Sequence, residues 1–253
     1  MSLYSNIIIV GIAGCSRSGK TLLVEELIKQ YKNIIKQYSL FEDIYDCIHL
    51  DTYANYYKVN KNKFRTSKGN RYGNWEFTGS LDWDIFYKEI QNKLKGMNNK
   101  LKNGSNINKK GILFIEGFLL FSPLLSNSSD DINYLNLFDY YIYIALDKQL
   151  AKIRRMKTTT VPDEYYEEIL WPEHIKHCSK YIDFFIYQKN KNNKNILVID
   201  GNKEYNLRTI SLCILKWMNV FNNNNIIDKN TYNDLFISFD NQINLIKKSL
   251  YSK

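Results

Sequence analysis

The stretch Gly14-Cys15-Ser16-Arg17-Ser18-Gly19-Lys20-Thr21 constrains this chain more than any other. It fits the pattern G-x-x-x-x-G-K-[ST] and directly follows the apolar, β-branched run Asn6 to Ala13. A strand, a glycine loop and the first turn of a helix in that order form an anion cradle. The glycines let the backbone curl so that successive N–H groups converge on phosphate oxygens, and the helix N-terminus adds its positive end. The Cys15, Ser16, Arg17 and Ser18 backbone then lines the loop. Lys20 is expected to bridge the β- and γ-phosphates of a bound ATP or GTP, and the Thr21 hydroxyl to ligate Mg2+.

The rest of the chain alternates the same two signals. Ile48-His49-Leu50 ends a second candidate strand, and Gly111 to Glu116, Tyr140 to Leu146 and Asn195 to Ile199 are further dense apolar runs. Such runs fit parallel strands covered on both faces. Helical spacing spans Leu22 to Ile34, Leu81 to Leu94, Asp147 to Lys157, about Asp163 to Tyr181, and Tyr205 to Val220. Strands alternating with helices require right-handed crossovers. The expected fold is therefore α/β, a P-loop NTPase-type three-layer arrangement with a parallel central sheet and helices on both faces.

Some regions fall outside this scheme. Asn55 to Gly73 is expected to be a polar loop on the substrate side, residues 96–110 a mobile asparagine- and lysine-rich insertion, and Asn222 to Asn225 a linker to one appended terminal helix. The domain reading is residues 1–220 as one unit and 221–253 as linker and helix.

With 253 residues and 44% hydrophobic content, the chain can bury one sizeable core. The formal charge of +9 comes from lysines interleaved with asparagines, as in Lys61-Asn62-Lys63. This reads as surface composition, so no nucleic-acid partner is expected. The apolar run Ile7 to Val10 is too short to span a bilayer, so no membrane partner is expected either. Cys15, Cys47, Cys178 and Cys213 stand far apart with no metal-ligand spacing, which suggests reduced thiols in the cytoplasm.

A phosphate cradle alone does not separate kinases from GTPases and motors, and no Asn-Lys-x-Asp guanine signature is present. The acceptor side must decide. Asp51 follows the second strand, where an open α/β sheet places ligands. A carboxylate there either accepts a hydroxyl proton or caps the next turn. Asn74-Trp75-Glu76 offers a flat ring beside an acid, suited to a base and its ribose. Glu116 ends its strand beside the cradle. Arg154 and Arg155 lie late in a basic helix, where cations also complement the helix end.

Taken in order, these segments resemble the uridine kinase-like branch of P-loop kinases, and among them most closely the nicotinamide riboside kinases. The resemblance is carried by Gly11 to Thr21, Asp51 with Tyr53, Asn74-Trp75-Glu76, Phe114 to Phe121, Arg154-Arg155, Tyr165 to Ile175 around Trp171-Pro172, and Ile199-Asp200-Gly201. It implies an ATP- and Mg2+-dependent kinase acting on the 5'-hydroxyl of nicotinamide riboside, with uridine or cytidine as the alternative acceptor. A P-loop regulatory protein without turnover is a further alternative. In the resemblance, Asp51 is the general base, with Lys20, Arg154 and Arg155 on the transferring phosphoryl group. Tyr53 and Trp75 stack on the base or pyridinium ring, Glu76 and Arg155 bind the substrate, Thr21 and Glu116 serve Mg2+, and Asp200 lies near adenine. It also implies a lid over about residues 152–175 and a monomer or homodimer.

Some positions depart from the family pattern. The family usually carries Asp where this chain has Glu76, an aromatic where it has Ala54, and a lid arginine near Thr158. These changes bear on base selectivity more than on phosphoryl transfer.

Overall fold

The computed structural model describes residues 5–36, 41–61, 63–103, 110–122, 137–158, 161–191, 195–221 and 228–251. Its centre is β1 (Ile7–Gly14), in which every residue but Ile8 is buried. It pairs in parallel with β5 (Lys110–Gly117) on one side and β6 (Tyr140–Ala145) on the other. β2 (Phe41–His49) and β7 (Ile196–Asp200) complete a five-stranded sheet in the order β2-β5-β1-β6-β7.

Strand alternation sorts the core into two layers. Ile7, Ile9, Leu113, Ile115, Tyr141, Tyr143, Ile196 and Val198 face one side. There they meet α3 (Trp83–Asn103), α5 (Trp171–Asn190) and α8 (Phe239–Tyr251). Val10, Ile12, Ile112, Phe114, Ile142, Ile144, Leu197 and Ile199 face the other, against α1 (Lys20–Ile35) and α6 (Leu207–Trp217). Side chains from both faces of every central strand are therefore dry, which explains why the sequence shows dense apolar runs rather than alternation.

Several local expectations are corrected. Residues 96–103 are not insertion but the continuation of α3. Met97 and Leu101 extend the buried stripe of Ile90 and Leu94, so the helix keeps a packed face through the Asn/Lys-rich stretch. Residues 104–109 lie outside the described residues, and Lys110 already opens β5. Asn55 to Gly73 is largely structured, holding α2 (Tyr56–Lys61) and the antiparallel hairpin β3 (Lys63–Arg65) and β4 (Arg71–Gly73). α4 (Lys148–Met156) is followed by a short helical turn, Asp163–Tyr165, and a π-helical turn, Tyr166–Leu170, before α5 begins. The regular helix expected over about Asp163 to Tyr181 is thus interrupted by a π-helical turn.

The terminal segment holds two helices, α7 (Lys229–Leu235) and α8, and α8 is part of the core. Ile243, Ile246 and Leu250 are buried, and Gln242 accepts a 3.0 Å hydrogen bond from the backbone N–H of Val198 on the edge strand β7. The linker expected at Asn222 to Asn225 lies outside the described residues. No helix among the described residues is long and apolar enough to cross a membrane.

Because Ile246 is fully buried, Ile246→Ala should lower unfolding free energy by about 2–4 kcal/mol. Urea denaturation measures this, and a loss below about 0.5 kcal/mol would show α8 to be peripheral.

Candidate active site

The registers of the sheet bring the functional candidates to one edge. His49 lies opposite Glu116, Ile12 opposite Glu116, Gly14 opposite Ile144, and Asp200 opposite Ala145. These are carboxyl ends of parallel strands, where open α/β sheets gather ligands.

The phosphate loop adopts the shape its glycines allow. Gly19, with φ 100°, stands before α1, and a side chain there would be strained. A Cβ on Gly14 would approach the Ile144 carbonyl oxygen to 2.7 Å and Ser18 Oγ to 2.8 Å, so loop and β6 close on each other only without a side chain. Arg17 takes positive φ at the tip. The Ser18 N–H and Lys20 Nζ both donate to the Cys15 carbonyl, at 3.1 and 3.0 Å. Lys20 thus folds back over its own loop, while buried Ser18 Oγ has no hydrogen-bond partner. Burial pushes the Cys15 thiol up to about 11, so it is a packing group beneath the loop and not a nucleophile.

Beside the loop, Thr21 donates to Glu116 Oε1 at 2.9 Å, and the same oxygen lies 2.8 Å from His49 Nδ1. Glu116 Oε2 is buried without a partner. A hydroxyl and an unspent carboxylate oxygen at the foot of a phosphate cradle suit a hard divalent cation, directly or through its waters. Sequence reasoning missed His49, whose signal appears only once its register against Glu116 is known.

Asp51 lies in the 3-10 turn Leu50–Tyr53 that continues β2. Gly117 admits this turn, since a Cβ there would overlap the Leu50 side chain. Asp51 is exposed at the rim, yet protein packed around the carboxyl raises its pKa. Lys20 opposes this, Glu116 adds to it, and His49 and the Phe118 N–H oppose it. Asp51, Lys20 and Glu116 thus share one electrostatic neighbourhood.

The acceptor-side residues separate into a dry acid and an open aromatic ledge. Glu76 is buried, and Arg155 Nη1 lies 3.6 Å from its Oε1. Its backbone is fixed twice, its N–H donating to Asn74 Oδ1 at 3.0 Å and its carbonyl accepting from His177 Nε2 at 2.8 Å. Burial lowers His177 to about 4, so the ring is neutral and the carbonyl partner selects the Nε2–H tautomer. Trp75 is half-buried and meets Tyr56 edge-on at 4.7 Å, with Tyr56 70% exposed. Tyr53, expected beside Trp75, instead packs its ring on Phe86 of α3 at 5.2 Å. The 3-10 turn rotates it away, and Tyr56 takes the position beside Trp75.

The paired arginines also diverge, as neighbours on a helix must. Arg155 turns to Glu76, whereas Arg154 donates to the Gly201 carbonyl at 3.1 Å. Arg154, Arg17, Gly19, Asp200 and Tyr205 line a cavity of about 530 Å³ against the loop. Asp200 lies on its wall, but Oδ1 accepts from both the N–H and Nδ2 of Asn202, so this carboxylate shapes the turn.

Strand order, loop and strand-end acids together define a P-loop NTPase-type domain. No family model matches the chain, and no curated protein matches it. Among solved structures it is similar to shikimate kinase from Bacteroides thetaiotaomicron, at 10% identity over 84% of this chain and 98% of that one, with a TM-score of 0.34. It is also similar to TT1252 from Thermus thermophilus, at 13% identity over 87% and 100%, with a TM-score of 0.36. Deoxyadenosine kinase from M. mycoides, with bound dATP, matches at 18% identity over 84% and 98%, with a TM-score of 0.36. Likeness this distant carries no argument, and the class rests on the topology and the loop.

The site predicts a pH effect. Burial first, opposed by Arg155 and reinforced by Asp51, pushes Glu76 from 4.5 up to about 7. A carboxyl whose folded pKa is raised contributes stability that is full below about pH 4.5 and lost as pH rises through about 7. Glu76→Gln stays neutral, so it should match wild type near pH 4 and exceed its stability near pH 8 by ~1 kcal/mol or more. Urea midpoints measured across this range check it, and parallel curves for the two proteins would contradict it.

Proposed function

We propose that the chain is an ATP-dependent kinase that transfers the γ-phosphate to the 5'-hydroxyl of a ribonucleoside, nicotinamide riboside first and uridine or cytidine second. The observation that carries the reading is the common electrostatic neighbourhood of Asp51, Lys20 and Glu116 at the carboxyl edge of the sheet. It supplies a proton acceptor beside an anion cradle, which phosphoryl transfer to an alcohol needs and nucleotide binding alone does not.

In this reading the backbone amides of Gly14 to Thr21 hold the phosphates. Lys20 leaves the Cys15 carbonyl for the β- and γ-phosphate oxygens. Asp51 takes the proton of the attacking 5'-hydroxyl, so that the oxygen–phosphorus bond forms as the bond to ADP breaks. Thr21 and Glu116 would hold Mg2+, which neutralises charge on the β- and γ-phosphates when bound. Glu76 accepts from ribose hydroxyls, and Arg155 reaches over it from α4. Arg154, held at Gly201, belongs to the donor side, where the 530 Å³ cavity suits the base and ribose of ATP.

The Trp75 face with Tyr56 beside it offers a ledge for a flat ring. A cationic pyridinium would gain about 0.5–2 kcal/mol of cation–π attraction there, which favours nicotinamide riboside over a neutral pyrimidine. The extra methylene of Glu76 relative to Asp shifts the ribose contact by about one C–C bond length.

Asp51→Asn should keep the melting-point rise induced by ATP-Mg while turnover falls by about three orders of magnitude or more, because an amide cannot take the proton. ADP release over a nucleoside panel measures turnover and ranks the acceptors. Turnover of uridine without nicotinamide riboside would move the assignment to the second acceptor class. A melting-point rise with no turnover on any nucleoside would favour a regulatory P-loop protein.

A further inference from the structure

The segment joining α4 to α5 carries consecutive residues with unequal fates. Glu164 accepts from Asn70 Nδ2 and from the Tyr72 hydroxyl, tying the segment to the hairpin. The Tyr166 hydroxyl donates to the Lys148 carbonyl at 2.9 Å. Between them stands Tyr165, only 6% exposed, with its ring 5.3 Å from that of Tyr72 and its hydroxyl buried without a hydrogen-bond partner. A dry phenol O–H with nothing to bind costs about 1–3 kcal/mol. Natural folds tolerate that cost where a ligand supplies the missing partner.

The surroundings identify the ligand group. Tyr165 shares one packed cluster with Tyr72 and Trp75, and the groups that act on its hydroxyl are Glu76, Arg155 and the Trp75 N–H, which faces the phenol oxygen and leaves the O–H itself without an acceptor. Asn74 Nδ2, in the same tripeptide as Trp75 and Glu76, is a second buried donor without a partner. Tyr165 is also the last residue before the π-helical turn Tyr166–Leu170, whose wider winding changes the direction of side chains on either side of it. The acceptor side therefore offers one buried carboxylate that accepts and an adjacent hydroxyl free to donate.

We infer that Tyr165 is a specificity-determining residue that binds the acceptor directly. One hydroxyl of a vicinal diol donates to Glu76 while its neighbour accepts from the Tyr165 O–H. The inference rests on the ribonucleoside kinase reading and deepens it by naming a residue that reads the second hydroxyl of the ribose diol. A monohydroxylic sugar ring would leave either Tyr165 or Glu76 unpaired in a dry site, which is the arrangement that discriminates most strongly.

The test compares wild type with Tyr165→Phe, which keeps the ring and removes only the hydroxyl. KM and kcat are measured by ADP release for the best ribonucleoside of the panel and for its 2'-deoxy and 3'-deoxy analogues. The substitution should raise KM for the ribonucleoside about tenfold with little change in kcat, and the penalty should vanish for one of the deoxy analogues. An unchanged KM, a penalty that persists undiminished with both analogues, or a lost melting-point response to ATP-Mg would overturn it. These outcomes leave the kinase reading standing as long as wild type turns over. If wild type neither turns over nor shifts its melting point with any nucleoside, both readings fall together.

Discussion

The pairing of β1 with β5 fixes nearly everything of chemical interest in this molecule. Ile12 opposite Glu116 puts the strand-end acid level with the start of the phosphate loop, so Thr21, in the first turn of α1, reaches it at 2.9 Å. A slip of one residue would turn Glu116 to the opposite face of the sheet and bury Ile115 in the wrong layer. Driving the Glu116 carboxylate into the layer of Leu113 and Ile115 would be costly, which opposes that slip. The hydrophobic core and the polar site are thus set by one register. β2 inherits it, since His49 also lies opposite Glu116 and the turn carrying Asp51 begins at the next residue.

That edge gathers three acids into partly dry surroundings. Asp51, Glu76 and Glu116 stand near Lys20 and Arg155, and two of the three acids, Asp51 and Glu76, have raised pKa values. Burial is the main cause of both shifts, Glu116 adds to that of Asp51, and Asp51 adds to that of Glu76. Such an arrangement is a poor way to stabilise a fold, and it suits a site awaiting charged or hydroxylic ligands. Lys20 is held meanwhile by a carbonyl of its own loop, a single hydrogen bond that a triphosphate can displace at small cost.

Much of the fold was legible in the sequence because its strands are covered on both faces and leave dense apolar runs. The phosphate loop was legible because its glycines answer a local backbone requirement that no tertiary contact overrides. Other features needed the third dimension. The continuation of α3 past Gly96 hides in an Asn/Lys-rich composition and shows only in the spacing of Met97 and Leu101. The direction of Tyr53 depends on a 3-10 turn, and the opposite directions of Arg154 and Arg155 on helix phase. The π-helical turn has no signature in residue type. α8 read as an appendage because its dry face is narrow, yet Gln242 serves the otherwise unpaired N–H of an edge strand.

One further connection bears on how the acids keep their positions. The Glu76 carbonyl accepts from His177, whose Nδ1 lies 3.3 Å from Ser122 Oγ. Ser122 Oγ lies 2.6 Å from the Tyr181 hydroxyl, which in turn donates to the Phe118 carbonyl at 3.3 Å. The Phe118 N–H is the backbone group that bonds Asp51. A chain of neutral hydrogen bonds thus runs behind the site from the Glu76 backbone to Phe118, the residue whose own N–H acts on Asp51. Because His177 stays neutral down to about pH 4, the chain keeps its donors and acceptors through the whole range in which Glu76 titrates. Changes in the charge of the site can therefore occur without loosening the scaffold that spaces Glu76 from Asp51. In the proposed kinase, that spacing would have to match the distance between a sugar's diol and its reacting hydroxyl.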